Sequence, residues 1–102
     1  MKMLLTVEFP NEPFNALVRS GKVGEIIGRI LDTIKPETAY FTEQDDGKRG
    51  GIFVVNLQDS SDVPALAEPF FLKFQANCKF RILMSPDDLQ KAGLEELGKK
   101  WA

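Results

Sequence analysis

Histidine is absent from this 102-residue sequence, and cysteine occurs once, at Cys78. Without histidine the chain cannot form a His-dependent catalytic triad, a histidine metal site or the usual general base near neutral pH. A single cysteine excludes an internal disulfide, a CxxC pair and a cysteine zinc cluster. Cys78 lies in an apolar strand pattern, so we expect a small core residue with an unreactive thiol. We predict no metal site and no cofactor.

Long apolar runs and charge of one sign are also missing. No run approaches the roughly 20 residues that cross a bilayer, and the start MKMLLTVEFP is too short and too soon charged for a signal peptide. Lysine and arginine are scattered and the net charge is −2, so neither a membrane nor nucleic acid is expected as a partner. With 43% apolar and 27% charged residues, the sequence predicts one cytoplasmic globular domain over residues 1–102.

The clearest positive signal is a β-hairpin. Two runs rich in β-branched and aromatic residues flank the turn sequence DDGKRGG, which predicts strands over Thr38–Gln44 and Gly51–Leu57. Alternating apolar residues predict a first strand over residues 2–9 and a fourth over Cys78–Met84. A hairpin is not stable alone in water, so we expect helices to cover one of its faces.

Two helical segments separate these strands. The first is predicted from about Pro13 to Lys35, and its glycines indicate either close packing on a neighbouring element or a break at Gly21. The second follows the turn at residues 59–62 and contains Pro69, where we expect a kink or a restart. Its adjacent Phe70 and Phe71 cannot both face the same core, so one of them is expected to meet another surface.

A last helix is predicted after Ser85, which suits the N-cap position, with Pro86 at the first helical position. Leu89, Leu94, Leu97 and Trp101 can form its apolar side. A tryptophan is costly to leave in water, so we expect Trp101 to dock on its own domain or on a partner.

The element order β-α-β-β-α-β plus a C-terminal helix predicts an α+β, ferredoxin-like antiparallel sheet with both main helices on one face. The other face then stays open and partly apolar, and two sheets packed face to face would give a homodimer, a dimeric α/β barrel. The residues expected on the open face are Leu4, Thr6, Glu8, Tyr40, Thr42, Gln44, Ile52, Val54, Asn56, Arg81 and Leu83.

Some polar residues of this face are candidates for a small-molecule site. Arg81 could hold a carboxylate, Glu8 could act as a base, and Tyr40 and Asn56 could donate to a carbonyl or enolate oxygen. Thr6 and Thr42 are lesser polar groups of the same candidate ligand-binding site, and Glu8, Tyr40 and Arg81 are its candidate catalytic residues. The interpretation that we favour is that Glu8 and Arg81 form a structural ion pair across neighbouring strands, because opposite charges are common there.

A second charge cluster lies in the hairpin turn. Asp45 and Asp46 are adjacent acids that could hold a hard cation. Two adjacent acids are a weak signal for a cation site, and the favoured interpretation is a solvated loop, because acidic residues are common in turns.

Two stretches, KPETAYFTEQDDGKRGG and LAEPFFLKFQANCKFRILMSPDDLQKAGLEELGKKW, resemble a family of small uncharacterised bacterial proteins of about this length. Members of that family often carry the name panthothenate synthetase; pantothenate synthetase is a much larger nucleotidyltransferase with a His-containing motif, which this chain lacks. More remotely, the element order and the Pro69-Phe70-Phe71 segment are similar to the dimeric α/β-barrel superfamily, which includes muconolactone isomerase-like proteins. The resemblance implies a dimer of ferredoxin-like domains. The superfamily contains cofactor-free isomerases, small monooxygenases and decyclising enzymes, and also members with no known activity.

Two function classes follow. The first is a dimeric small-molecule-binding or interaction module without catalysis. The second is a cofactor-independent enzyme, of the isomerase or monooxygenase type, that acts on a small organic acid between the sheets. A regulatory or assembly role is a third possibility that the sequence neither favours nor opposes.

Overall fold

The structure is a computed structural model that describes residues 1–102, and its centre is a four-stranded antiparallel sheet in the order β2-β3-β1-β4. The strands are β1 Lys2–Glu8, β2 Thr38–Glu43, β3 Arg49–Asn56 and β4 Asn77–Ile82. The helices are α1 Asn11–Arg19, α2 Val23–Ile34, α3 Val63–Phe74, α4 Pro86–Lys91 and α5 Leu94–Lys100, with a 3₁₀ turn at Ser60–Asp62. The predicted α+β class with an antiparallel sheet is confirmed. None of the helices is long and apolar enough to cross a membrane.

The core lies on one face of the sheet, between the sheet and helices α1, α2 and α3. Strand alternation places Leu5 and Val7 of β1 and Phe53 of β3 on this face, and all three are fully buried. Phe9 extends the core beyond β1, with ring centroids 5.2 Å from Phe14 and 5.1 Å from Phe74 in edge-to-face geometry. Aromatic pairs of this kind contribute beyond their buried area, so they anchor α1 and α3 to the sheet.

The long helix expected over Pro13–Lys35 is two helices. The backbone turns through Ser20 to Lys22, and Gly21 there has a φ of 75°, a left-handed conformation that glycine adopts without strain. The predicted break at Gly21 is therefore confirmed. Gly24 and Gly28 have no atom near the position of a Cβ, so these glycines are not sites of close packing on a neighbouring element.

A kink or a restart is expected at Pro69, and helix α3 is continuous through this residue, so the restart does not occur. Leu66, Phe70 and Phe74 lie on either side of the proline and are buried against the sheet, and this packing offsets the backbone hydrogen bond that proline cannot donate. Phe71 is 39% exposed while Phe70 is buried, which confirms that only one of the two faces this core.

The prediction of a single last helix is wrong, because a break at Gly93, where φ is 73°, separates α4 from α5. The Ser85 hydroxyl does cap α4, accepting a hydrogen bond from the Asp88 amide at 3.1 Å. We name residues 83–102 the C-terminal arm. Only the start of the arm joins the sheet, where the Leu83 amide donates to the Lys2 carbonyl at 3.0 Å. Helices α4 and α5 make no substantial packing contact with the sheet or with α1–α3, and Trp101 is 75% exposed rather than docked on its own chain. The molecule therefore measures 60 × 29 × 19 Å, with a radius of gyration of 17.2 Å against about 13 Å for a compact chain of this length.

Candidate functional site

The candidate residues all project from the sheet face that no helix covers, which we name the open face. Strand register fixes this, because residues two apart on a strand share a face. Leu4 lies opposite Val54 of β3 and Arg81 of β4, and Thr6 lies opposite Ile52 and Lys79. Tyr40 of β2 also pairs with Ile52, which settles the assignment of β2 and β3 to this face.

The centre of the open face is apolar. Leu4, Ile52 and Val54 are half-buried there although no helix lies above them, and Thr6 is the only polar side chain among them. Burying such side chains against another apolar surface is worth roughly 25 cal/mol per Å² removed from water. The centre therefore favours contact with an apolar surface over contact with water.

The Glu8 carboxylate binds Lys79, not Arg81. Its Oε1 accepts a hydrogen bond from the Lys79 ammonium at 3.1 Å. Register explains the partner, because Lys79 lies opposite Thr6, two residues from Glu8, whereas Arg81 lies opposite Leu4, four residues away. The interpretation of Glu8 and Arg81 as an ion pair is therefore wrong. Arg81 itself is exposed and has no carboxylate within 4.0 Å.

Asn56 belongs to a small polar network at the opposite end of the face. Its amide donates a 2.6 Å hydrogen bond to Glu37 Oε1, and Lys2 Nζ lies 3.1 Å from Glu37 Oε2. The Asn56 hydrogen bond and then the Lys2 ammonium lower the pKa of Glu37. Sequence reasoning did not include Glu37 or Lys2, because their partner is set by a cross-strand register that only the fold defines.

Tyr40 and Thr42 lie on β2, an edge strand whose six residues are all exposed. The Tyr40 side chain is 66% exposed, and the Thr42 hydroxyl reaches only the Glu43 carbonyl, at 3.5 Å. Gln44, expected on the same face, instead turns back on the chain and donates from its amide to the Arg49 carbonyl at 2.6 Å.

Four main candidates lie around the open face of one copy and do not contact one another: Glu8, Tyr40, Asn56 and Arg81. Tyr40 and Arg81 lie on the two edge strands, three strand spacings or roughly 14 Å apart. Glu8 pairs with Gly50 and Asn56 with Lys2, so they lie six residues or roughly 20 Å apart along β3. The face thus has an apolar centre with polar groups around it, a pattern that suits an interface.

The Cys78 thiol lies on the other face, half-buried against α3, where its Sγ is 4.0 Å from the Ala67 carbonyl. Burial, and secondarily the Glu68 carboxylate, raises its pKa to about 11. The thiol is protonated near neutral pH, which agrees with the expected unreactive core residue.

The acidic turn between β2 and β3 needs no bound cation to explain it, because Asp46 binds a group of the turn itself. Asp46 Oδ1 accepts from the Lys48 amide at 3.0 Å, as acidic residues in turns commonly do. No group of three or more acidic or cysteine side chains lies close enough together to hold a metal ion.

A second concavity, which sequence reasoning missed, is a groove of about 340 Å³ between α2 and α3. Ile26, Ile30 and Leu72 line it, with Arg29 and Lys73 among the charged residues at its margin. The available signal for this groove was Leu72, three residues after Pro69, because its side chain faces away from the sheet.

No family model, no curated protein and no solved structure matches this chain.

Proposed function

We propose that the chain is a homodimeric binding module in which two copies pack through their open faces. The carrying observation is the helix-free apolar centre formed by Leu4, Ile52 and Val54. An isologous pair covers this surface on both copies at once, and closed twofold dimers are the commonest oligomers. The same proposal includes the ferredoxin-like plan, supported by the strand order and the one-sided helices, and the dimeric α/β barrel.

The enclosed space would be the binding site. Pairing the faces removes the apolar centre from water and places polar groups of both copies around it. Glu8, Tyr40, Asn56 and Arg81, which surround the face in one copy, are then contributed twice. Pockets that bind small molecules are mostly apolar with a few polar groups that fix orientation, and this composition matches that pattern.

Sedimentation equilibrium at low micromolar concentration tests the dimer. We expect a dimer for the native chain and a monomer for Val54→Asp, because the new carboxylate would be buried in the interface. Val18→Asp is the matched control, since Val18 is 47% exposed on α1, away from the open face. A native monomer, or a dimer unaffected by Val54→Asp, contradicts the proposal.

One observation favours a second candidate, a cofactor-independent enzyme of the isomerase or monooxygenase type that acts on a small organic acid. Arg81 is a cation without a carboxylate partner, next to the apolar Leu4. A guanidinium beside an apolar surface suits the carboxylate of such a substrate. In that case Glu8, once released from Lys79, is the available base and Tyr40 the available donor.

A panel of small carboxylic acids separates the two candidates. If the face binds acids, we expect the panel to raise the melting temperature of the native chain, and Arg81→Ala to abolish the shift with the fold intact. Arg19→Ala, on the surface of α1, is the control and should keep the shift. Substrate turnover that Glu8→Gln abolishes would establish the enzyme; binding without turnover would leave the binding module.

A further inference from the structure

The C-terminal arm carries an apolar side that its own chain leaves uncovered. Leu94 and Leu97 of α5 and Trp101, the residue that ends this helix, follow a spacing of three and four residues that favours one side of the helix. Leu89 of α4 joins Leu94 in the open concavity of about 550 Å³ that the bend at Gly93 creates. The exposed fractions are 67% for Met84, 45% for Leu89, 55% for Leu94, 43% for Leu97 and 75% for Trp101.

We propose that the arm of one copy packs along strand β2 of a second copy of this chain. This inference rests on the proposed dimer and adds to it the contact that closes its sides. The exposed leucines, methionine and tryptophan of one arm offer apolar surface toward the roughly 800 Å² per partner of a standard interface. An arm that stayed in water would forfeit the roughly 25 cal/mol per Å² that the burial of apolar surface contributes.

Strand β2 is the complementary surface. Tyr40 is 66% exposed on the open face, and Phe41 is 51% exposed on the opposite face, so β2 presents an aromatic ring on each side. No helix covers the strand, and its outer edge has no neighbouring strand. The bent arm offers Leu89 and Leu94 in its concavity, together with the exposed Leu97 and Trp101.

Length and charge favour one orientation of the arm along β2 of the second copy. The arm from Pro86 to Trp101 spans at most about 24 Å as helix, and the six residues of β2 span about 20 Å. The arm begins with two acids and ends with Lys99 and Lys100. Strand β2 follows Lys35 and Glu37, of which Glu37 is paired with Lys2, and it ends at an acidic turn. Opposite charges meet at both ends when the arm runs in the same direction as β2. The acids that begin the arm are Asp87 and Asp88, and those that end β2 are Glu43, Asp45 and Asp46.

Topology explains why the partner's β2 is covered rather than the chain's own. In the order β2-β3-β1-β4, the arm leaves from one edge strand and β2 is the other, roughly 14 Å away across the sheet. A twofold axis parallel to the strands, between two facing sheets, exchanges the edges. It places β4 of one copy over β2 of the other, so the partner's strand lies beside the root of the arm.

Full-length variants test the contact without removing any segment. Leu97→Asp should raise the dimer dissociation constant at least tenfold in sedimentation equilibrium, with the circular dichroism spectrum unchanged. Leu72→Asp is the matched control, because Leu72 is 77% exposed on α3 and lies off the proposed interface. If the native chain is a dimer and Leu97→Asp leaves its affinity unchanged, the arm inference is overturned while the proposed dimer stands. If the native chain is a monomer, both are overturned.

Charge reversal locates the contact on β2. Lys100→Glu should weaken the dimer several-fold, and adding Glu43→Lys in the same chain should restore most of the loss. A merely structural role of Lys100 within its own helix would not produce this rescue. Lys22→Glu, at the start of α2, is the control and should leave the affinity unchanged. Failure of Glu43→Lys to rescue overturns the placement on β2.

Trp101 gives an independent readout, because it is the only tryptophan in the chain. Its emission should shift to shorter wavelength as concentration rises through the dimer dissociation constant, since the indole leaves water. Tyr40→Ala should reduce the shift. An emission spectrum that is the same in monomer and dimer contradicts docking of the arm.

Discussion

Similar apolar side chains are buried in the body of the molecule, residues 1–82, and exposed in the C-terminal arm. In the body, Phe9, Phe53 and Phe74 are at most 1% exposed and form one aromatic cluster between sheet and helices. In the arm, no residue is fully buried, and Leu89, Leu94, Leu97 and Trp101 are exposed to water. Helix α4 of the arm is capped by Ser85, and the apolar residues of α5 keep a helical spacing, so the difference lies mainly in tertiary contacts.

The comparison shows that local order and buried area are separate properties. Helix α4 has a complete capping box, in which Ser85 and Asp88 each accept a hydrogen bond from the other's backbone amide. That arrangement fixes where the helix begins, but isolated helices of six or seven residues gain little stability without packing. The arm is therefore a formed segment whose stabilisation must come from another surface.

The largest expected effect is in the aromatic cluster. Phe9→Ala removes a fully buried ring that contacts Phe14, Phe70 and Phe74, and should lower the free energy of unfolding by about 3–5 kcal/mol. Urea denaturation measures this. Leu97→Ala is the arm control, and at concentrations where the chain is monomeric it should change stability by under about 0.5 kcal/mol. Equal losses at the two sites would remove the distinction between body and arm.

The thiol of Cys78 should distinguish the two regions chemically. A pKa raised from 9.0 to about 11 lowers the thiolate fraction near neutral pH roughly 100-fold, so a chromogenic disulfide reagent should react that much more slowly than with a free thiol. Because the folded pKa lies above the unfolded one, Cys78 also favours the folded state below pH 9, and this contribution is lost as pH rises toward 11.

Gly98→Cys in a Cys78→Ser background places the thiol in the arm as the matched comparison. That thiol should react at the rate of a free cysteine in the monomer. A fast reaction of native Cys78 before denaturation would show that its surroundings are open to water.

The smallest expected effects come from a pair of glycines. A Cβ at Gly51 would lie 2.8 Å from Cε2 of the fully buried Phe53 ring, so Gly51→Ala should destabilise by about 1–3 kcal/mol. Gly24 has nothing near the corresponding position and lies within α2, so Gly24→Ala should stabilise by roughly 0.5–1 kcal/mol. Thermal unfolding of both variants checks the opposite signs, and the same sign for both would contradict the assigned packing.

Much of the sheet could be predicted from sequence because strand alternation has a period of two. The period places Ile52 and Val54 on the same face of β3. Both faces of β3 are apolar enough to be buried, so only the register with β1 joins these two residues to Leu4. The break at Gly21 was also predictable, because a glycine at that point both weakens a helix and permits a left-handed turn.

The partners of the charged side chains could not be predicted. Glu8 binds Lys79 and Asn56 binds Glu37 because of the register between strands that are distant in sequence. The break at Gly93 and the exposure of Trp101 were missed for a related reason, since a pattern of apolar residues indicates that a side will be covered but not by which surface.

The uncovered edge of β2 has a consequence for the fate of the chain at high concentration. Residues 38–42, Thr-Ala-Tyr-Phe-Thr, have high β-propensity and no charge, and their outer backbone groups are unpaired. Short uncharged edge strands of this kind pair with one another and seed cross-β aggregates. The other edge, β4, carries Lys79 and Arg81, which repel a like strand. In the proposed dimer, the arm that packs along β2 would also protect this edge from aggregation, so variants that release the arm should lose solubility before they lose their fold.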